Sequence, residues 1–292
     1  MDLKQDKKLQ RNLDKIIDKF EGDIGFYVKD LSRNTYAATA ADVTFPTASI
    51  VKIPILLGIM DKIINKKLDY HQDLVYTDTL LYEGSDILGS FKDKQTISLA
   101  KVMMLMLTTS DNTASLWLQS LAGGGQQINR LLDRLGYPNT RVNSRTPGRT
   151  DAQGQYGWGQ TTPREMAHIL EGIVTSTTIT PEASHRMLRC LGRNYWDEEA
   201  LSQIPPNIFV ASKNGAVNQS RSEVVYVNAP HHPYIFSVFT RNQVDQSWTP
   251  QNAGWVVART ISRELWHYFE PKHTWKAAEL GSEASSVAVR SH

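Results

Sequence analysis

Apolar residues at Leu3, Leu9, Leu13, Ile16, Ile17 and Phe20 fall close to helical spacing and predict a first helix within residues 3–20. The segments DIGFYVKDL and TYAATA, joined by the turn SRN, read as two short strands. From about residue 47 to 190 the pattern is mostly helical, interrupted by loops. Within it IPILLGIM reads as buried helix. ISLAKVMMLMLTT is apolar nearly all round and predicts a central buried helix. SLAGGGQQ reads as a glycine-rich connection before the helical INRLLDRLGY, and the absence of a following Gly-Lys-Ser/Thr argues against a phosphate loop. The polar, glycine-rich stretch at 142–162 predicts a long loop, which inside a compact domain is functional or disordered. It ends in TTPRE, where Thr162 is the expected N-cap, Pro163 the first helical position and Glu165 the capping-box partner. After residue 205, NIFVASK, SEVVYVNAP and YIFSVFTRN predict strands, and TPQNAGWVVARTISRELWHYF predicts a closing helix.

This order predicts an α+β fold, with an antiparallel sheet flanked by N- and C-terminal helices and a mostly helical lobe inserted between its strands. The expected organisation is a single domain over 1–275. Its α/β lobe takes about 1–45 and 200–275, and its helical lobe about 46–199. Residues 276–292 have little to pack and are expected to form a flexible tail. A cleft between two such lobes is a favoured place for a site.

Composition narrows the functions available. The 292 residues carry 32 basic and 30 acidic side chains, a net +2 too balanced for a nucleic-acid footprint. No long block of like charge suggests an electrostatic membrane anchor. The single cysteine, Cys190, excludes an intramolecular disulfide and reads as a buried structural thiol. IPILLGIM and VMMLMLTT are far shorter than the ~20 residues that span a bilayer. The charged, amphipathic N-terminus does not read as a secretory signal, so a cytoplasmic protein and one whose signal has been removed both fit. His231 and His232, in APHHPY, are expected in a turn, without a third ligand at metal spacing. The tryptophans and methionines are expected in the core.

The chemistry begins with FPTASIVKIPILLGIM, where Ser49 and Lys52 stand three apart and are neighbours on a helix. Such a pair is either a structural hydrogen bond or a nucleophile with its base. Alone it reads more readily as a capping serine and a snorkelling lysine. TTSDNTA supplies Ser110, Asp111 and Asn112, and FVASKNGAV supplies Lys213, Asn214 and Gly215. Taken singly, SDN is a turn or helix cap and KNG a hairpin signal. In order, S-x-x-K, S-D-N and K-x-G resemble the motif set of the penicillin-recognising serine enzymes. The intervals of 61 residues from Ser49 to Ser110 and 103 from Ser110 to Lys213 resemble those of class A β-lactamases. TTPREMAHIL and YEGSDILGSF resemble further segments of that superfamily, so the likeness runs from about residue 20 to 270.

The resemblance implies a serine acyl-transfer enzyme of β-lactamase/DD-peptidase-like fold, needing no cofactor or metal. Ser49 is the implied nucleophile and Lys52 its base, with a pKa lowered by burial and by Lys213. Ser110 passes a proton to the leaving nitrogen, and Asn112 binds Lys52 or a substrate amide. The backbone N–H groups of Ser49 and Ala216 form the oxyanion hole. Lys213 holds positive charge near the leaving nitrogen, and Asn214, Gly215 and Arg221 bind substrate, Asn214 and Arg221 by holding the substrate carboxylate. The substrate is a β-lactam or, alternatively, a D-Ala-D-Ala-type peptide. A monomer is expected, periplasmic or secreted.

Two departures stand out. Thr146 falls roughly where class A enzymes carry the glutamate that activates water for deacylation. Between Asp133 and Glu165 the only carboxylate is Asp151, a substitute base if the loop folds differently. Asn214 stands where the family has threonine or serine, and still donates a hydrogen bond. The expectation is a slow or atypical lactamase. A carboxypeptidase or a non-turnover penicillin-binding sensor module is the alternative.

Overall fold

Three segments whose successive side chains alternate between two covered faces build the main sheet. In the computed structural model, which describes residues 2–84 and 87–278, Phe26 and Val28 face one side of β2 (Asp23–Asp30) and Tyr27 the other. The chain enters through β1 (Lys4–Gln5) and α1 (Lys7–Ile17), and β2 is followed by β3 (Thr35–Thr39) and β4 (Phe45–Pro46). A 3₁₀ turn at Ala48–Val51 leads into α2 (Lys52–Ile64). The short β5 (Asp73–Val75) and β6 (Thr96–Ser98) pair ahead of α3 (Leu99–Thr108), α4 (Asn112–Leu121) and α5 (Gly124–Arg134). Then come β7 (Arg141–Val142), α6 (Thr150–Tyr156), β8 (Gly159–Thr161), α7 (Pro163–Val174) and α8 (Pro181–Leu191). The chain returns to the sheet with β9 (Val210–Val217), β10 (Ser220–Val227) and β11 (Tyr234–Arg241), and closes with α9 (Ala253–Phe269).

The six strands lie in the order β1-β3-β2-β11-β10-β9, antiparallel except for the two-residue β1/β3 pair, which is parallel. Helices α1 and α9 cover one face through Leu9, Leu13, Ile261, Leu265 and Trp266, packed on Val225, Phe236 and Val238. The other face, through Tyr27, Val224 and Ile235, joins the core built on α2, α3, α4 and α7. The predicted α+β architecture is the observed one. Every residue of α2 from Lys52 to Met60 is buried, so this helix runs through the middle of the helical layer.

Several local expectations are corrected. The first helix is shorter than 3–20, because Asp6 caps it by accepting from the Lys8 and Leu9 N–H groups and Lys4–Gln5 joins the sheet instead. Gly124 and Gly125 belong to α5, leaving Gly123 at φ 96° as the turn residue. The stretch 142–162 is not one open loop: it folds as α6 with β8 behind it, and Gly159 accepts from the Thr47 N–H. Thr162 caps α7 as expected, but Glu165 does not close a capping box. Its carboxylate instead accepts from the Asn139 and Thr140 N–H groups and the Thr140 hydroxyl. Pro54 lies in the first turn of α2, where an N–H would have no helical partner, just after the change from 3₁₀ to α geometry. Of the expected tail, 279–292 lies outside the described residues.

Candidate active site

The 3₁₀ turn, the start of α4 and the free edge of β9 meet at one point. Asp111 is the N-cap of α4, its Oδ1 accepting from the Ala114 N–H, so Ser110 is held just before the helix and Asn112 on its first turn. The cap reading of SDN therefore holds. The other Asp111 oxygen accepts from the Ile87 and Leu88 N–H groups and fastens the loop at the cleft rim. Ser110 and Ala48, the residue before Ser49, both hold positive φ, 61° and 44°. Such strain costs of order 1–3 kcal/mol per non-glycine residue and persists only where the surroundings fix it. At Ser110 the fixing group is an amine.

Lys52 is completely buried, and its Nζ lies 2.6 Å from the Ser110 carbonyl, 2.9 Å from Ser110 Oγ, 2.9 Å from Asn112 Oδ1 and 3.1 Å from Ser49 Oγ. Burial foremost, then Lys213, holds its pKa well below the usual lysine range, against an opposing pull from Asp111. A neutral amine has two N–H donors and one lone pair. The Ser110 carbonyl and Asn112 Oδ1 are acceptors only, so they take the two donors and leave the lone pair for a hydroxyl. Lys213 is also fully buried and donates to the Asn214 carbonyl at 2.7 Å and to Asn214 Oδ1 at 3.0 Å. Burial brings its pKa down to about 7, opposed by Glu223.

The backbone of β9 is aimed by a substitution in the next ladder. Arg221 donates its N–H to Thr240 Oγ1 at 2.7 Å, and its carbonyl accepts from the same hydroxyl at 2.9 Å, so its backbone groups face β11. In an antiparallel pair, opposed residues either bond each other or both face away. Ala216 is opposite Arg221, so its N–H turns to the open edge of β9, on the cleft wall shared with Ser49. Gly215 allows the close approach: a Cβ there would lie 2.5 Å from the Thr47 carbonyl and 2.9 Å from the Ser49 nitrogen.

Two adjoining recesses of about 540 Å³ each open from Ser49, a size suited to a small organic ligand. A family model described as the beta-lactamase enzyme family matches residues 8–269. The chain belongs to that family. Among curated proteins the beta-lactamase ROB-1 of Haemophilus influenzae is 24% identical over 248 residues, 82% of this chain and 78% of that protein. Among solved structures, a mutant of PBP-A in an acyl-enzyme complex with penicillin G has a TM-score of 0.82 at 21% identity, covering 93% of this chain and 99% of that one. A class A beta-lactamase from Bacteroides cellulosilyticus has a TM-score of 0.77 at 18% identity, covering 89% and 96%. The class A-like fold and the membership of the serine β-lactamase and penicillin-binding superfamily follow.

In this beta-lactamase family member the fold brings Ser49, Lys52, Ser110, Asn112, Lys213, Asn214, Gly215 and Ala216 together. Two expected site residues stand apart. Arg221 is buried, its guanidinium donating to the carbonyls of Val217, Asn218, Ser220 and Ser247 and stacked 4.3 Å and 4.6 Å from the rings of Trp248 and Trp255. It braces the cleft wall from behind and is not placed to grip a carboxylate. Asp151 is exposed on α6, whereas the part of that segment lining the cleft is Gln155, Tyr156, Gly157 and Trp158. Thr146 is buried, its hydroxyl donating to the Ser144 carbonyl. Among the described residues no carboxylate lines the recess beside α6.

The cleft also contains residues the sequence left in the core. Trp158, Trp196, Trp248 and Trp255 line it, as do Glu198, Glu199 and Arg241. The cluster YWDEE, five bulky or acidic residues in a loop, is the sequence signal that would have pointed to Trp196, Glu198 and Glu199, but it was not read. Cys190 is buried, its pKa raised to about 11 by burial. His231 and His232 pair with Glu270 and Asp30 respectively. Among the described residues no helix is long and apolar enough to cross a membrane.

Proposed function

We propose that the protein is a serine acyl-transfer hydrolase that opens the amide of a β-lactam through Ser49. The observation that carries this reading is the buried Lys52 amine within hydrogen-bond reach of both Ser49 Oγ and Ser110 Oγ. Neutral Lys52 takes the Ser49 hydroxyl proton as Oγ bonds to the carbonyl carbon. The N–H groups of Ser49 and Ala216 hold the resulting oxyanion. As the C–N bond breaks, the proton passes from Lys52 through the Ser110 hydroxyl to the leaving nitrogen. Asn214 meets the substrate carboxylate, the role expected of it together with Arg221, and the buried Lys213 ammonium supplies positive charge behind it. Water then attacks the acyl carbon and releases Ser49, and the lack of a carboxylate beside α6 supports slow release.

That same lack supports a second reading, a D-Ala-D-Ala carboxypeptidase-like or penicillin-binding protein that is acylated and seldom freed. The likeness to PBP-A favours it. Either substrate class places the protein outside the cytoplasmic membrane.

The test mixes the protein with a chromogenic cephalosporin and follows turnover together with intact mass. Sustained hydrolysis supports a lactamase, and a single burst with a stable adduct supports the second reading. Neither adduct nor turnover overturns both.

A further inference from the structure

The two recesses beside Ser49 differ in character. The recess beside α6 carries one charged side chain among its described lining residues, Arg241. The recess that contains Ser110 carries three tryptophans and two glutamates, and no lysine or arginine among its described lining residues. Ser110 hands its proton to the leaving nitrogen in the proposed reaction, so this second recess receives whatever that side of the substrate bears.

Its aromatic walls are fixed. Trp196 Nε1 donates to the Thr109 carbonyl at 3.0 Å and Trp248 Nε1 to Asn218 Oδ1 at 3.1 Å. With their only polar atoms engaged, both indoles still expose much of their surface, 39% and 58%. Exposed, rigid aromatic surface beside a nucleophile marks a place for a ligand. The two acids are not equivalent. Glu199 is engaged 2.5 Å from Arg259, which leaves exposed Glu198 as the open carboxylate. A cation attracted by that carboxylate also gains from lying over an indole face.

We propose that the recess bounded by Trp196, Trp248 and Glu198 is a specificity subsite for a flat, cationic aromatic substituent on the leaving-nitrogen side of the substrate. The proposal rests on the acyl-transfer reading of Ser49. It favours a zwitterion, with its carboxylate at Asn214 and its cation at the outer rim.

The test uses two cephalosporins with one acyl side chain, one bearing a pyridiniummethyl group and the other an acetoxymethyl group. Acylation of Ser49 is followed by intact mass, so slow release does not matter. The ratio of the two acylation rates should fall about tenfold in Trp248→Ala and several-fold in Glu198→Gln, while Trp248→Phe retains most of it. Ser49→Ala protein should bind the pyridinium compound about tenfold more tightly than its partner in calorimetry. Equal binding, or a ratio that neither variant moves, overturns the subsite. If neither compound labels the wild type but selective binding to Ser49→Ala persists, the acyl-transfer reading falls and the subsite stands.

Discussion

Lys52 Nζ sits 3.1 Å from Ser49 Oγ, on the same buried amine that lies 2.6 Å from the Ser110 carbonyl. The shorter contact fixes the amine, and the longer one is the contact a proton transfer would shorten. Lys52→Gln keeps the hydrogen-bonding shape and removes the base. Acylation should slow by about 10²–10⁴, the usual share of general-base catalysis, with binding of substrate to the unacylated protein little altered. Stopped-flow acylation beside calorimetric affinity separates the two.

Acylation should follow a bell-shaped pH profile. It rises as Lys52 loses its proton and falls as Lys213, whose pKa is about 7, loses the charge that attracts the substrate carboxylate from behind Asn214. The apparent values belong to the pair, because each ammonium disfavours the other. Lys213→Arg cannot lose its charge in this range and should move the alkaline limb upward. A single rising limb in the wild type would count against Lys213 in this role.

Gly215→Ala should disable the site without removing any catalytic group. The added methyl would lie 2.5 Å from the Thr47 carbonyl, forcing β9 away from the 3₁₀ turn. A loss of about 1–3 kcal/mol in stability is expected by thermal unfolding, with a larger proportional loss in acylation. An unchanged acylation rate would show that the approach of β9 to Ser49 is not needed.

Asp151→Asn should leave the rate of release from the acyl-enzyme unchanged, because Asp151 is exposed on α6 and does not line the cleft. Mass-resolved decay of the adduct measures this, and a clear slowing would restore Asp151 as the base.

Glu223→Gln should flatten the dependence of stability on pH. Glu223 is buried, one oxygen accepting from the Ala200 N–H, and burial raises its pKa to about 8. Between its ordinary value of 4.5 and about 8 the folded chain keeps a proton that the unfolded chain has lost. Its stabilising contribution is therefore complete at low pH and declines as pH rises through that window, by up to about 1.4 kcal/mol per pH unit. The difference in Tm between variant and wild type should shift in favour of the variant from about pH 5 to about pH 8. A constant difference would place the Glu223 pKa elsewhere.

The sequence by itself determined the types of the main strands and helices and the motif grouping, but not α6 and β8, which fold where it read a loop. The β-branched and aromatic run within Asp23–Asp30 and the unbroken apolar run of α2 mark elements covered on all sides, and both are buried. Ser49 with Lys52, and Ser110 with Asn112, are short-range pairs whose spacing survives in any context that keeps the helix starts. The missing glutamate was equally legible, since 134–164 contains only one carboxylate.

Tertiary structure decided what each polar group is free to do. Arg221 looks available in the sequence and Glu165 looks like a capping-box partner, yet Arg221 is engaged by carbonyls and Glu165 by the N–H groups of Asn139 and Thr140. Trp248 and Trp255 look like core, yet they form a cleft wall because a buried guanidinium supports them from behind. The direction of the Ala216 N–H depends on one hydroxyl of β11 that replaces a ladder bond. Local spacing fixes which groups can be neighbours along one element. Which donors stay unengaged, and how far burial lowers the pKa of Lys52, depends on segments far apart in the chain.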